Sequence, residues 1–504
     1  MSAIFAFEKT SFSQSEWIEL LPGSERLSYD EKSGIERLTG LLTFKYQNNI
    51  MYCDSAHLKR STKEVWAYGN VQLNNNDTLN LFCDSIYYNG KTKKAKLWGH
   101  VRVRDREYKL SADTVEYDAK LKRASYKNGG KIENITRNEV LTSKYGYFHP
   151  NTEESFFRGN VVYKSPEVKM TTDTLQYNYL LHRVYFFGPT NVTNKETKLY
   201  CEKGWYNVET EEGVLRSNAW IDQETKRIEG DSLYYAPLKK IGIAKGNVKI
   251  FEKKENLELR AGYVHSDELK GLDVLTENPV VIWKRTKDTL FVRADTLKHF
   301  RDTLNKTTRL IGNREIKLFQ NDIQAIADSL DYQKDKGEMK LWSNAHFWSK
   351  NSELTGDTIS VYFLQDTLLD RVFLRNNAFA ANEVDSGRFY NQLAGKEMWA
   401  YFKDKELIKS TVNGNAETLF YPIQKEETDS TIIEKRLGMN RLIASQLKVI
   451  LDSGEVKGVT FIEQPEGIFY PIDQLVEELK FLKSFKWNPA LRPKTYKELI
   501  KSEL

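Results

Sequence analysis

The sequence predicts an all-β protein built from stacked repeats, and three observations carry that prediction. A small residue, an acid and a hydroxyl residue precede an alternating apolar pair, as in Cys83-Asp84-Ser85-Ile86-Tyr87-Tyr88, and such copies recur about every thirty residues. A second mark, such as Gly99-His100-Val101, lies about fifteen residues after each first one. The chain is also 12% aromatic, with 27 Tyr and only 11 Pro, which suits pleated strands. Two marks per repeat imply at least two strands per repeat.

The first mark recurs along most of the 504 residues. Its copies begin at Cys53, Cys83, Ala112, Thr172, Cys201, Gly230, Ala294, Ala327 and Gly356, and worn copies are found at Glu25, Ser143, Gly262 and Glu397. The second mark begins at Gly69, Gly99, Gly159, Gly246, Ser343 and Gly414. Because each unit of a repeat array packs on its neighbours, we expect one long body.

Apolar residues alternate with polar ones on each side of the marks. In the stretch from Ala95 to Arg104 the small or apolar residues take every second position, which predicts a half-buried strand. Around Asp113-Thr114 the apolar phase changes parity, which predicts a bulge or corner there. The residues that we expect on the inner face by this alternation are Val71, Leu97, Val101, Val103, Val115, Val161, Leu175, Phe186 and Val248.

Composition excludes several classes of function. Lys and Arg number 75 against 70 Asp and Glu, so the formal charge of +5 is small and predicts no nucleic-acid partner. No apolar run approaches the length of a membrane-spanning helix. The recurrent Asp does not indicate catalysis, because a glycosidase site needs two unlike carboxylates and these copies are alike. We therefore expect no enzyme activity, no metal and no cofactor.

The three cysteines all precede the acidic position of a repeat. Cys53, Cys83 and Cys201 take the place that alanine has in other copies, such as Ala112. That position favours a small buried side chain, which a free cysteine supplies. A disulfide between Cys53 and Cys83 stays open, although stacked parallel side chains seldom meet the required dihedral angle.

The two ends of the chain differ from the repeats. Residues 1–14 are either the remnant of a signal peptide or a hydrophilic N-terminal segment. We assign residues 15–420 to the repeats and 421–464 to the last strands, which carry a charged insertion. From Pro471 the pattern predicts a helix with Asp473 as its cap. Residues 465–504 are therefore a helical cap over the open edge of the last repeat, or a docking tail that contacts a partner through residues 485–493.

The paired marks resemble those of a known family. The stretch from Met51-Tyr52-Cys53-Asp54-Ser55 to Tyr68-Gly69-Asn70-Val71 is similar to OstA-like proteins, the family that contains LptA and the N-terminal domain of LptD. The resemblance covers roughly residues 15 to 420, and both marks recur in phase. It implies an elongated, repeat-built β-jellyroll, a V-shaped twisted antiparallel sheet. Its interior would shield the acyl chains of lipopolysaccharide.

The resemblance also implies a function and a location. Members of this family would bind and transport lipopolysaccharide as a bridge toward the outer membrane, in the periplasm or in association with the outer membrane. The partners would be the acyl chains of lipid A and other lipopolysaccharide-transport proteins at the inner and outer membranes, with end-to-end self-association left open. On this reading the nine inner-face residues contact lipid. The alternative is a structural or adhesive β-solenoid without a ligand, and a polysaccharide-active β-helix enzyme comes third.

Overall fold

The computed structural model describes residues 19–46, 49–75, 79–104, 106–149, 154–178, 180–284, 288–364, 368–404, 406–428, 431–452 and 455–500. The expected signal-peptide remnant at residues 1–14 lies outside them. The chain divides into two compact units. The first ends at Glu224 and also takes Gly230–Lys239, whereas the second takes Thr225–Glu229 and continues from Lys240. Nearly all regular elements are antiparallel β-strands, which confirms the predicted fold class.

The first unit is built from strands β1 to β17. Their bounds are β1 Glu19–Leu20, β2 Ser24–Asp30, β3 Ile35–Tyr46, β4 Asn49–Lys59, β5 Glu64–Asn75, β6 Leu79–Asn89, β7 Lys94–Arg104, β8 Tyr108–Asp118, β9 Arg123–Tyr126, β10 Gly130–Asn134, β11 Glu139–Ser143, β12 Tyr145–His149, β13 Glu154–Lys164, β14 Lys169–Asn178, β15 Arg183–Thr193, β16 Thr197–Asn207 and β17 Gly213–Gln223. Strand β18, Lys226–Ala236, contributes residues to both units.

The second unit continues with β19 to β36. Their bounds are β19 Ile241–Glu252, β20 Leu257–Asp267, β21 Leu272–Thr276, β22 Val280–Lys284, β23 Thr289–Arg293, β24 Thr296–Arg301, β25 Thr307–Gln320, β26 Ile323–Gln333, β27 Glu338–Ser349, β28 Ser352–Leu364, β29 Leu368–Val384, β30 Phe389–Lys403, β31 Glu406–Phe420, β32 Ile423–Thr428, β33 Thr431–Arg436, β34 Gly438–Asp452, β35 Glu455–Ile462 and β36 Glu466–Pro471. Single 3-10 turns are found at Pro237–Lys239, Asp385–Gly387, Ile472–Gln474, Glu477–Lys480 and Tyr496–Glu498.

Within each unit, strands pair with their neighbours in the chain. Strands β3 to β8 pair in order, and so do β13 to β17 and β25 to β31. Several long strands in the described residues each pair with two shorter ones, one along each half: β3 with β1 and β2, β8 with β9 and β10, β13 with β11 and β12, β20 with β21 and β22, β25 with β23 and β24, and β34 with β35 and β36. The charged insertion forms the hairpin of β32 and β33.

The two sequence marks are the two sides of one corner. Between β6 and β5, Tyr68 pairs with Ser85 and Val71 with Cys83, so the single residue Asp84 faces the two residues Gly69 and Asn70. The same shift occurs in the other long strand pairs of both units. Two residues against one define a β-bulge, which bends the strands. This result confirms the corner that the parity change at the acidic step predicts.

Backbone conformation and side-chain contact together explain the residue types at the corner. Gly99 and His100 have φ angles of 78° and 50°, in the left-handed region that only glycine enters without strain. A Cβ atom on Gly99 would lie 2.3 Å from the Asp84 carboxylate, and one on Gly69 would lie 2.4 Å from that of Asp54. The acid of one strand therefore occupies the space that glycine leaves on the next strand.

Hydrogen bonds join the two sides of many corners. The side-chain amide of Asn70 donates to Asp54 at 2.9 Å, and Nδ1 of His100 lies 2.8 Å from the Asp84 carboxylate. Equivalent pairs are Asn218 with Glu202, Asn344 with Asp328, and Asn377 with Asp357. These side chains lie on the surface, where each acid contacts its own partner. The Asp of the repeat is thus a corner residue.

Two of the degenerate copies predicted from the sequence lie one residue from the residue that forms the corner, and one corner was not predicted. The residues that face the left-handed pair are Lys144 and Lys396, next to the predicted Ser143 and Glu397. A further corner brings Ser445 of β34 opposite Glu463 and Gln464, after the hairpin insertion. An acid is therefore not essential, because the bulge needs only one residue opposite two.

The C-terminal tail, residues 472–500, lies along the outer face of the second unit. It follows a row of residues that are paired in register across eight strands, which we call the outer row: Phe291, Phe319, Gln324, Trp348, Glu353, Ala381, Gln392 and Leu419. The ring of Tyr496 stacks on Phe291 at 5.1 Å, and Nε of Arg492 donates to Gln324 at 2.7 Å. The tail therefore covers a sheet face, while β35 and β36 each pair with β34.

The tail forms short 3-10 turns instead of the predicted helix, and no side-chain cap is present at Asp473. The reason is tertiary. The side chain of Gln392 accepts a hydrogen bond from the Leu482 amide at 2.9 Å and donates one to the Lys480 carbonyl at 2.8 Å, so it binds the groups that a helix would pair internally. Leu482 itself is buried in a cluster with Phe379 and Leu419.

The proposed docking residues of the tail contact their own sheet. Phe485 packs edge-on against Phe379, with ring centroids 6.2 Å apart, and Trp487 lies 5.2 Å from Tyr390. The backbone amide of Asn488 donates to Glu353, a carboxylate without exposed surface, at 2.7 Å. Residues 485–493 thus cover Glu353 of the outer row and the rings of Phe379 and Tyr390.

We expect substitution of Gly99 by alanine to destabilise the protein more than the same change at Gly34. Both residues have positive φ angles, 78° and 65°, but nothing lies within 4 Å of a Cβ atom on Gly34. The difference between the two variants is the clash with Asp84, which we expect to cost about 1–3 kcal/mol. Urea denaturation measures it, and equal losses in the two variants would contradict the role assigned to the corner.

We expect Leu482→Ala to lower the free energy of unfolding by about 2–5 kcal/mol, because it empties a packed site. Leu491 is 51% exposed in the same tail, whereas Leu482 is 2% exposed. Leu491→Ala is therefore the matched control and should change stability by less than about 0.5 kcal/mol. Thermal unfolding of both variants tests the placement of the tail, and similar midpoints would refute it.

Candidate functional site

The apolar interior of each unit is the candidate site, and it is lined from two sides of the corner. We name the two sides of the corner half A and half B. Half A is the segment of β7 that contains Val101 and Val103, together with all segments that pair with it. The segment from Lys94 to Trp98 and its partners form half B. In the second unit, Ile323–Ala327 of β26 belongs to half A and Ser329–Gln333 to half B.

All nine residues predicted on the inner face are buried. Val71, Val101, Val161 and Val248 are 1% exposed, and the other five are 3–5% exposed. In half A lie Val71, Val101, Val103, Val161 and Val248, and in half B lie Leu97, Val115, Leu175 and Phe186. Eight belong to the first unit and Val248 to the second. Leu97 pairs directly with Val115, and Leu175 with Phe186.

The two halves face each other across the interior of the second unit. Ile323, Ala325 and Phe347 of half A and Met339 and Val361 of half B line one small cavity of about 10 Å³. That volume suits one water molecule at most. Around this cavity the two halves are packed by their own side chains, so a lipid chain could enter here only if the halves moved apart.

The three cysteines lie on the inner face as free thiols, so the Cys53–Cys83 disulfide does not form in this structure. Burial raises the pKa of Cys53 and Cys83 to about 12, with the neighbouring acid as a second cause, and burial raises that of Cys201 to about 11. The reactive thiolate is thus suppressed. These residues fill space beside the corner, as alanine does in other repeats.

Charged residues are also found inside the second unit, and sequence reasoning missed them. Asp273 bonds to Nδ1 of His299 at 3.1 Å and to the Arg301 guanidinium at 2.9 Å. Burial alone would raise the pKa of Asp273, but the His299 hydrogen bond and the Arg301 charge hold it well below its usual range. Glu252, 5% exposed, faces this group, and burial raises its pKa.

The alternation of apolar residues in the sequence contains a signal for these buried charged residues. Glu252 follows Val248 and Ile250 at inner positions, and Asp273 precedes the buried Leu275 by two residues. A charged residue in an apolar phase is the available signal. The sequence does not indicate which charges meet, because the strands that carry Asp273 and Arg301 pair only in the fold.

Two negative findings concern the described part of the chain. It contains no group of three or more His, Cys, Asp or Glu side chains placed to hold a metal ion. In the same residues, no helix has the length and apolar character that crossing a membrane requires.

Two family models match the repeat region of the chain. A family model described as OstA-like protein matches residues 20–173 and 160–231, and one described as LptA/(LptD N-terminal domain) LPS transport protein matches residues 227–367. The solved structure of LptH, the LptA homologous periplasmic component of the lipopolysaccharide transport device from Pseudomonas aeruginosa, is 22% identical over 22% of this chain and 84% of that chain, with a TM-score of 0.21. A comparison with curated proteins gives no match.

We expect the thiols to resist alkylation in the folded protein. With pKa values of about 11 to 12, Cys53, Cys83 and Cys201 stay protonated at pH 8, and their burial blocks access. Iodoacetamide should label none of them in native protein and all three in urea, as counted by mass spectrometry. Rapid native labelling of any of them would contradict the buried thiol position.

Proposed function

The chain belongs to the OstA-like family, which includes LptA and the N-terminal domain of LptD, and from this premise we propose that it binds and transports lipopolysaccharide in the periplasm. The observation that carries the proposal is the apolar interior, lined by both halves across the residues that match the family. Acyl chains are apolar, so their removal from water is favourable in such an interior.

The nine buried inner-face residues are the proposed lipid contacts. Their side chains are Val, Leu or Phe, which offer no hydrogen bonds and suit hydrocarbon chains. The repeats at residues 15–420 would shield the acyl chains of lipid A while polar groups of the lipid stay outside. The proposal assigns no catalytic residue and no cofactor.

The proposed place of the protein is a bridge toward the outer membrane. Partners would be other lipopolysaccharide-transport proteins at either membrane. Support comes from the end of the described sheet, where β35 and β36 pair with β34 on one side and present Ile462, Ile468 and Phe469 with 44–56% of their surface exposed. Unpaired strand edges accept strands from another chain, including a second copy of this one. Strands β35 and β36 would then form a contact surface.

One observation favours the alternative of a structural β-solenoid without a ligand. Around Ile323 and Met339 the interior of the second unit is filled by its own side chains and leaves a cavity of about 10 Å³. A solid core of this kind would make a stiff spacer. The two functions differ in whether the inner face meets lipid.

We expect a photocrosslinking amino acid at Val161 to label lipopolysaccharide in cells, and the same substitution at Val162 to label it far less. The two residues are adjacent valines on opposite faces of β13, and Val161 is 1% exposed. Val101 and its exposed neighbour Arg102 form a second pair. Equal labelling within both pairs, or none at Val161 and Val101, would support the structural alternative.

A further inference from the structure

The mouth of the interior in the second unit is the edge opposite the corners, where hairpin turns of the two halves lie. The turn between β19 and β20 in half A carries Glu255, and the turn between β24 and β25 in half B ends at Thr307. Glu255 accepts hydrogen bonds from the Thr307 amide at 3.1 Å, from the Thr307 hydroxyl, and from Nζ of Lys334 at 2.7 Å. One carboxylate of half A thus joins two strands of half B.

Further contacts cross the mouth beside Glu255. Trp283 of half A packs edge-on against Tyr332 of half B, with ring centroids 5.7 Å apart. Nζ of Lys334 lies 5.2 Å from the centroid of the Trp283 ring, so this lysine contacts both partners in half A. Nζ of Lys226 in half A lies 3.8 Å from Glu268 in half B. The mouth is therefore closed along several strands.

The chemistry of this closure differs from that of the interior behind it. The inner positions of both halves are mainly Val, Leu, Ile, Ala and Phe, yet Glu252, Asp273, His299 and Arg301 are buried directly beside Glu255 and Thr307. Burial raises the pKa of Glu255, but the hydrogen bonds from Lys334 and Thr307 outweigh it and lower the pKa overall. The carboxylate is thus held as an acceptor.

Such a closure is suited to opening. Buried charges lose their hydration, and this cost offsets much of the attraction between them. When the halves separate, the charges regain water, so opening costs less than it would for an apolar seal of equal area. An ionic closure of this kind therefore adds less net stability than apolar residues of similar volume would add.

We infer that Glu255, Thr307 and Lys334 form a reversible clasp between the halves of the second unit, which controls lateral access to its apolar interior. The nature of the entering molecule, an acyl chain, rests on the proposed function. The clasp itself rests only on the contacts across the mouth. The clasp also explains why charged side chains are found in an interior that is otherwise apolar.

A catalytic reading of the same residues fails on geometry. Asp273, His299 and Thr307 stand in the order of a nucleophile triad, with 3.1 Å and 2.9 Å between the contacting atoms. The Thr307 hydroxyl donates its single proton to Glu255, so that proton is not available to His299 acting as a general base, and the hydroxyl is buried away from any substrate. The cluster supports closure and not acyl transfer.

Distances between spin labels across the mouth test the clasp. Labels at the exposed positions 254 in half A and 303 in half B are introduced by cysteine into full-length protein in which Cys53, Cys83 and Cys201 are alanine, the residue of that position in other repeats. Glu255→Gln and Lys334→Met should each shift the 254–303 distance to longer values. The ratio of open to closed molecules should rise about tenfold, because a hydrogen bond to a charged group contributes that much.

Two controls match these variants. Arg309→Gln breaks the ion pair of Arg309 with Asp331 at 2.7 Å, which joins two strands of half B and does not cross the mouth. Labels at 303 and 335 lie in half B alone and report movement unrelated to opening. An unchanged 254–303 distance in both clasp variants, or the same shift in Arg309→Gln, overturns the clasp.

A photocrosslinker at Val281, an inner position 2% exposed in half A, separates the clasp from the proposed function. Greater lipopolysaccharide labelling at 281 in Glu255→Gln than in the parent supports both. Longer 254–303 distances without labelling at 281 or 161 keep the clasp and contradict lipid transport. Labelling at 161 without any change in distance keeps transport and overturns the clasp.

Discussion

The bulge at which one residue faces two left-handed residues is the constraint on which the rest of each unit depends. A strand that bends there must pair with neighbours that bend at the same register. The corners are therefore stacked, as the contact of Asp84 with Gly99 and His100 illustrates. A slip of one residue would turn Val101 and its partners outward, which makes the register strongly specified. Small side chains and Asn or His at the corner follow from this geometry.

Because the corner divides every long strand, each unit has two apolar half-sheets and an interior between them. In the first unit, residues such as Val71 and Leu97 turn inward from opposite sides of the corner. The arrangement lets a single repeated element make an interior of any length, with each repeat adding the same lining. Lipid transport requires such an interior to be apolar and accessible. The corner supplies the apolar lining, and the proposed clasp at the mouth would control access.

At two places in the second unit, polar or charged side chains stand where the repeat would have apolar residues. On the outer row, Gln392 and Glu353 bind backbone groups of the C-terminal tail, which fixes its path along the sheet. At the mouth, Glu255 joins the halves beside the Asp273 and Arg301 pair. The tail covers large aromatic and aliphatic surfaces and is expected to stay in place. The mouth relies on charges that water can solvate again.

The sequence by itself determined the all-β class, the corner and the inner face, because these depend on local alternation and on the residue types at a bulge. All nine predicted inner residues, from Val71 to Val248, are buried. Only the tertiary structure decided the tail and the clasp. The local pattern predicts a helix at Leu482. In the fold, however, the side chain of Gln392, ninety residues away, accepts a hydrogen bond from the Leu482 backbone amide. Glu255 likewise meets Lys334 across 79 residues, a contact that no local period encodes.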